Sequence, residues 1–450
     1  MLRLLLFVLI TLTFATNALG QVYHYETGKV ITVNDSNQII WQQGTYNNYP
    51  ADYGTLIVKE NRNKKNSRLI NIPVIRIKAA NPDSLNKPVF LLNGGPGESN
   101  FQPQLFFEEL LNKHDIVLVG YRGVDGSVKL NCPCMKNAFI SDTINLDNSA
   151  RLFQIAADSC LKQWKQDRID VNGYSMDEVV GDIEITRKSL EYNQINLLSF
   201  SYGTMLSQLY YEKYPKNIAK MILIGARPIN YFLFDGDNYN KQIYKLYKHF
   251  KKPKQVIDSN LFNIFLSDID SLLNAIIDKN KNINPYRFLF FGFSKLYSID
   301  KIEKVFEAYE YAFNGNPKKI IKLYNEFYRN FPGDIITGDV LLKKQGRVAF
   351  KPNSLNTIGD RITNAVNVWY SPQIPLLENS PAEQCQNTDT VGVLFIMGGF
   401  DVASPPDFIK ESNYLGYKNY KTITIQDAGH LDLLVKYRSE LYDFIKHFLE

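Results

Sequence analysis

Ile195-Asn196-Leu197-Leu198-Ser199-Phe200-Ser201-Tyr202-Gly203 is the stretch on which the reading of this chain turns. Ile195 to Leu198 reads as a strand buried on both faces, as the interior of a parallel sheet requires. Thr204 to Tyr214 reads as a helix that stops at Pro215. Between them lies Ser-x-Ser-x-Gly, with small residues at 199 and 203. A serine at a sharp turn between a buried strand and a helix has its hydroxyl raised above the end of the sheet.

The same texture recurs on both sides of this stretch. Val89-Phe90-Leu91-Leu92, Ile116-Val117-Leu118-Val119, Met221-Ile222-Leu223-Ile224, Val391 to Met397 and Thr422-Ile423-Thr424-Ile425 are further strand-like apolar runs. Ser175 to Leu190 opens with a capping pattern (Ser175, Asp177, Glu178) and then keeps Val, Ile and Leu at helical spacing. Strands alternating with helices indicate an α/β fold with a mostly parallel sheet. Residues 22–80 differ. Their short Val, Ile, Tyr and Thr runs, broken by Asn, Asp, Gly and Pro, read as antiparallel strands and turns. The alternation also lapses over 231–365. That stretch holds a Lys-rich helical segment (Lys241 to Lys254), a Phe288, Phe290, Phe291, Phe293 cluster, and helical patterns at Ile302 to Phe313 and Lys318 to Phe331. We therefore expect a core of 21–230 and 366–450, interrupted by a helical cap of 231–365. The lysines are expected to face solvent, and the four phenylalanines to form the core of the cap.

Composition excludes several classes. The chain has 450 residues, 45% hydrophobic and 22% charged, near the average of globular proteins and unlike a disordered or rod-like chain. Lys+Arg 51 against Asp+Glu 46 leaves +5, too small and too dispersed an excess for a nucleic-acid surface. Residues 1–20 have the three-part layout of a secretory signal peptide: a positive start at Arg3, the apolar run Leu4 to Phe14, and small residues at Ala18 and Gly20. Eleven apolar residues make about 16 Å of helix, well short of a ~30 Å bilayer core. Cleavage is expected after Gly20, leaving a secreted or periplasmic protein without stable membrane insertion. In such an oxidising compartment the four cysteines, Cys132, Cys134, Cys160 and Cys385, suggest disulfides. Cys132 and Cys134 stand too close together to pair. One of them is expected to bridge to Cys160, leaving the other for Cys385. Zinc is not expected, because no histidine lies near the first three cysteines.

A serine hydroxyl is a weak nucleophile and needs a general base. Of the five histidines, His430 stands where open α/β sheets place their sites, in a loop after a strand, behind Gly429. A base in this role needs an acid to orient it. Asp401 follows the preceding strand in Gly398-Gly399-Phe400-Asp401. Asp427 and Asp432 flank His430 and are rival acids, but neighbours in sequence are poorly placed to reach its ring. The order along the chain is then Ser201, Asp401, His430. Acyl transfer also needs donors aimed at the developing oxyanion. One is expected from the N–H of Tyr202. The other is expected from Asn93-Gly94-Gly95-Pro96-Gly97-Glu98-Ser99, where Gly94 and Gly95 let bare backbone approach a ligand. This chemistry requires no metal and no organic cofactor.

Gly94-Gly95-Pro96-Gly97, Tyr121-Arg122-Gly123-Val124-Asp125-Gly126-Ser127, Ser199-Phe200-Ser201-Tyr202-Gly203-Thr204, Gly399-Phe400-Asp401 and Gly429-His430 together resemble the prolyl aminopeptidase / tripeptidyl aminopeptidase family of α/β-hydrolases. The secreted tripeptidyl branch is the more similar, since it carries cysteines after the Arg-Gly motif and further on. The resemblance implies a serine exopeptidase acting on peptide substrates with free N-termini. It also implies acidic residues that bind the substrate α-ammonium, for which Glu98, Asp235 and Asp237 are candidates. Asn93 replaces the family's usual His, Gly120 a common Asp, and Ser199 the first glycine of the turn. None of these changes removes a catalytic group. An esterase or lipase would share the same machinery, and a non-enzymatic binding protein would share only the fold.

Overall fold

The computed structural model describes residues 21–23, 30–32, 37–83, 85–229, 234–250, 283–329, 335–343, 357–374, 390–411 and 417–450. The stretch read as a signal peptide and Cys385 lie outside these residues.

A nine-stranded sheet organises the molecule, in the order β11-β10-β9-β8-β6-β7-β5-β4-β3. All six runs singled out in the sequence are strands: β6 (Val89–Leu92), β7 (Ile116–Val119), β8 (Ile195–Phe200), β9 (Ile218–Ile224), β10 (Gly392–Gly398) and β11 (Tyr420–Ile425). Every pairing among them is parallel. The N-terminal strands β3 (Gln38–Tyr46), β4 (Tyr49–Lys59) and β5 (Leu69–Ile77) continue the sheet antiparallel beyond β7. A short antiparallel pair, β1 (Gln21–Tyr23) with β2 (Val30–Thr32), lies apart from it. β6, β7 and β8 are buried throughout, as strands between two helical layers must be. β11 departs from that reading. It is the edge strand, and Tyr420 is 46% exposed.

Two apolar layers flank the sheet. One contains Met205, Leu206 and Leu209 of helix α4 (Tyr202–Lys213) with Val179, Val180 and Ile183 of helix α3 (Met176–Ser189). The other packs Leu441 and Ile445 of the C-terminal helix against Leu198, Ile222 and Ile396. Ser175 caps α3 through its side chain, accepting from the Glu178 N–H, as its sequence pattern indicates.

A third apolar core lies above the sheet, and its membership departs from the expected division. Helices α1 (Pro133–Ile140) and α2 (Leu146–Gln166) were read with the core segment 21–230. Their Met135, Phe139, Phe153 and Trp164 instead pack with residues of the later helices α5 (Gly236–Phe250), α6 (Pro285–Lys295), α7 (Ile299–Phe313) and α8 (Lys318–Arg329). The apolar core of the helical layer therefore includes residues of α1 and α2, and Val402, besides those of 231–365. On α5, Lys241, Lys245 and Lys248 face solvent while Tyr239, Ile243 and Leu246 are buried. Among the described residues no helix is long and apolar enough to cross a membrane.

Cys132 at the start of α1 is bridged to Cys160 on α2, with 5.5 Å between the Cα atoms. Cys134 has no disulfide partner among the described residues, and Cys385, its expected partner, lies outside them. Linking residues 28 apart removes loop freedom from the unfolded chain, worth about 3–4 kcal/mol on the chain-entropy account. Replacing both Cys132 and Cys160 by serine should lower unfolding stability by about that amount. Urea denaturation of the double variant beside the parent checks this, and added reductant should narrow the gap between the two.

Candidate active site

The site is built on a strained turn. Ser201 leaves β8 with φ 51° and ψ −118°, a conformation that costs a side-chain-bearing residue of order 1–3 kcal/mol. The surrounding structure enforces it. The Ser201 N–H donates to Ile224 O at 3.0 Å. Its carbonyl accepts from the Thr204 N–H at 3.0 Å and the Thr204 hydroxyl at 2.6 Å. At Gly203 a Cβ would lie 2.0 Å from Leu92 O, so only glycine lets α4 start this close to β6. Ser199, standing where a glycine is usual, is fully buried. Its hydroxyl donates to Ile222 O at 3.2 Å, which satisfies the extra polar atom.

His430 and Asp401 meet in the fold, 29 residues apart along the chain. His430 Nδ1 is 2.7 Å from Asp401 Oδ2. The other Asp401 oxygen accepts from the N–H groups of Ala403 (2.8 Å) and Ser404 (2.7 Å). Asp401 is fully buried and His430 is 2% exposed, so the pair is held in a low-dielectric setting where such bonds are strong. The imidazole packs between Phe200, with centroids 4.7 Å apart, and Tyr297 at 5.3 Å. Ser201 and His430 line the wall of one cavity. Among the described residues no hydrogen bond joins Ser201 to the imidazole, whose polar contact is with Asp401.

The rival acids serve elsewhere. Asp432 accepts from the Gly429 N–H (2.9 Å), the Ile299 N–H (2.8 Å) and the Ser298 hydroxyl (2.7 Å). It therefore ties the histidine loop to the start of α7 rather than facing the ring. Asp427 is exposed and lies 3.9 Å from His249.

The glycine loop after β6 reaches the serine. A Cβ on Gly94 would stand 3.0 Å from Ser201 Cβ, so this backbone passes at van der Waals contact with the hydroxyl's own carbon. Gly95 has φ 68°, which favours glycine. Tyr202 is the first residue of α4, where a helical N–H has no partner within the helix. Gly94, Gly95 and Tyr202 thus border Ser201, Tyr202 at a helix N-terminus, the kind of place that favours a negative charge.

The cavity measures about 770 Å³. Besides Ser201, His430, Gly94, Gly95 and Tyr202, its wall includes Glu98, whose carboxylate accepts from Gln102 Nε2 at 3.1 Å. Burial pushes the Glu98 carboxyl above its ordinary pKa, and the Gln102 bond partly opposes this. The other two acids named from sequence stand apart. Asp235 is exposed and accepts from the Asn238 N–H at the start of α5, at 2.8 Å, and Asp237 is exposed as well. Neither lines the cavity.

The phenylalanine cluster divides by helical phase. All four belong to the apolar core of the helical layer, as expected, and Phe290 and Phe293 also line the cavity. Phe288 and Phe291 face the other way and stack around Tyr324. Three contributors had no sequence signal. Tyr297 and Trp369 line the wall. Buried Arg227 also lines it, donates to Ala403 O at 2.7 Å, and lies 4.4 Å over the Phe234 ring. Burial pushes the Arg227 guanidinium pKa down, against the opposing pull of Tyr297, Tyr370 and Asp401. Arg122 of the Arg-Gly motif is fully buried away from the cavity, with two bonds of 2.7 Å to Asp182.

Comparison with known proteins places this architecture. Residues 87–437 match the family described as alpha/beta hydrolase fold. The chain is 27% identical over 168 residues to the putative hydrolase YuaR of Escherichia coli (strain K12). That match covers 36% of this chain and spans about a third, 32%, of the relative's length. Among solved structures, a thermophilic esterase from Thermogutta terrifontis is 12% identical with a TM-score of 0.37, covering 88% of this chain and 97% of that one. The esterase EaEST from Exiguobacterium antarcticum is 14% identical with a TM-score of 0.40, covering 87% of this chain and 98% of that one. The family match spans most of the chain, and with it the strands and loops just described, so this protein belongs to the α/β-hydrolase fold family.

Proposed function

We propose that this protein is a secreted or periplasmic serine aminopeptidase that removes residues or short peptides from free N-termini. The observation that carries the reading is the pairing of a strained Ser201 turn with a half-buried carboxylate, Glu98, in one cavity wall. Among the described residues no lysine, arginine or histidine forms an ion pair with Glu98. A substrate ammonium provides that partner, and a charge-assisted bond in a partly dry cavity is strong. The Cys132–Cys160 bridge suits an oxidising compartment.

In the proposed reaction Ser201 Oγ attacks the scissile carbonyl while His430 Nε2 takes its proton. Asp401, bonded to Nδ1, sets the tautomer and stabilises the imidazolium. The Tyr202 and Gly95 amides receive the oxyanion, with Gly94 closing the cradle. His430 then gives its proton to the departing amine, and water cleaves the acyl-enzyme by the same steps in reverse roles. Phe290, Phe293 and Trp369 present an apolar wall to the substrate's side chains.

Hydrolysis of peptide anilides with free and blocked N-termini, beside short acyl esters, tests the reading. Free peptides should be preferred, and Ser201→Ala should abolish turnover of all three. A preference for blocked peptides or for esters would remove the aminopeptidase claim and leave an esterase. Glu98→Gln should raise KM for free peptides roughly 10- to 100-fold, the worth of a hydrogen bond to a charged group, and leave ester turnover unchanged. The sign of the pH effect follows from the raised Glu98 pKa. As pH falls, the carboxylate protonates earlier than an ordinary glutamate and loses its hold on the ammonium. KM for free peptides should therefore begin to climb at a higher pH than an ordinary glutamate would give, and Glu98→Gln should lack that limb.

A further inference from the structure

The glycine loop beside Ser201 is gripped from the helical layer above. Gly97 uses both of its backbone polar groups there. Its N–H donates to Asp339 Oδ2 at 2.9 Å, and its carbonyl accepts from the Ile336 N–H at 2.8 Å. Gly97 has φ 84°, and a Cβ on it would lie 2.7 Å from Ile336 O, so the contact admits no side chain. Asp339 belongs to helix α9 (Thr337–Lys343) and is 1% exposed. Its other oxygen pairs with Lys343 Nζ at 2.7 Å. That ammonium in turn donates to the carbonyls of Tyr174 (2.8 Å) and Arg122 (3.2 Å). The Asp339 carboxylate thus pairs at one oxygen with Lys343, which reaches the Arg122 carbonyl, and at the other accepts from the glycine loop. On the far side of the loop, the Asn100 N–H donates to Asp125 at 3.0 Å. The tight turn between these holds is closed by the Glu98 N–H on Gly95 O, 3.1 Å.

We propose that Asp339 is a positioning residue for the oxyanion cradle: by holding Gly97 it sets the direction of the Gly95 N–H beside Ser201. Gly97 is two residues from Gly95 within one closed turn, so a displacement at the first is passed to the second. The proposal rests on the hydrolytic reading of Ser201, His430 and Asp401. It assigns the helical layer a part in the chemistry, beyond lining the cavity. Misplacing an oxyanion donor by about 1 Å is costly to rate, on the order of 100-fold, whereas ground-state binding to the apolar wall is unaffected.

Two double variants isolate the acceptor from the ion pair. Asp339→Leu with Lys343→Met removes both charges and the acceptor for Gly97. Asp339→Asn with Lys343→Met removes both charges but keeps an amide oxygen for Gly97. Replacing a buried pair with apolar residues of similar volume is compatible with folding. Turnover of p-nitrophenyl butyrate should show kcat lowered roughly 10- to 100-fold in the Leu/Met variant with KM little changed. The Asn/Met variant should stay within about threefold of the parent. Hydrogen exchange over residues 93–100 gives a readout independent of activity, faster in the Leu/Met variant and parent-like in the Asn/Met variant. Equal kcat in all three folded proteins, or equal losses in both variants, would overturn the proposal. A parent that turns over neither ester nor peptide would sink the hydrolase reading itself, which these comparisons between variants do not.

Discussion

One backbone constraint shapes the rest of this molecule: the left-handed turn at Ser201, wedged between β8 and α4. It cannot relax, because Gly203 lies against the Leu92 carbonyl and the Ser201 N–H is bonded to Ile224. Strain of this kind persists only where neighbouring structure over-determines it. The neighbours here are the two strands on either side of β8, which is buried along its whole length. The glycine loop and the histidine loop both contribute to the wall of the cavity that Ser201 lines.

A second physical theme is the use of buried aspartates to hold loops at the mouth of the sheet. Asp401 binds the N–H groups of Ala403 and Ser404 as well as His430. Asp432 binds Gly429 and Ile299, Asp125 binds Tyr121 and Asn100, and Asp339 binds Gly97. Loop amides that leave a sheet edge have no ladder partner, and each would be costly to bury unpaired. A carboxylate accepts several at once with charge-assisted strength. In two cases, Asp432 and Asp339, the bond also joins the helical layer to a loop that borders Ser201. The position of that layer and the geometry of the site are therefore mechanically linked.

Much of this was legible in the residues, for identifiable reasons. The six parallel strands announce themselves as strand-like runs, and the buried ones among them as continuous apolar ones. Ser201, Asp401 and His430 each sit in a short local pattern at a strand end, so their roles as candidates needed no tertiary knowledge. What escaped depends on which face meets which partner. The exposure of β11 follows from its edge position, which its own residues do not encode. Phe290 and Phe293 are separated from Phe288 and Phe291 by helical phase, but only the packing tells which pair meets the cavity. Helices α1 and α2 look like core connectors until Met135 and Phe139 are seen among the later helices. Asp235 lies near the expected cap entrance in the chain, yet it accepts from an N–H at the start of α5. Asp339, by contrast, carries no motif beyond an Asp–Lys spacing of four, and its target lies 242 residues away.

The central claim is that Ser201 is a nucleophile activated by His430 and oriented through Asp401. Its most direct test is reaction with a fluorophosphonate followed by mass mapping of the modified peptide. The account predicts a single adduct on Ser201, formed by the parent and lost in His430→Ala despite an intact fold. No adduct on the folded parent, an adduct on another residue, or undiminished labelling without the imidazole would contradict it.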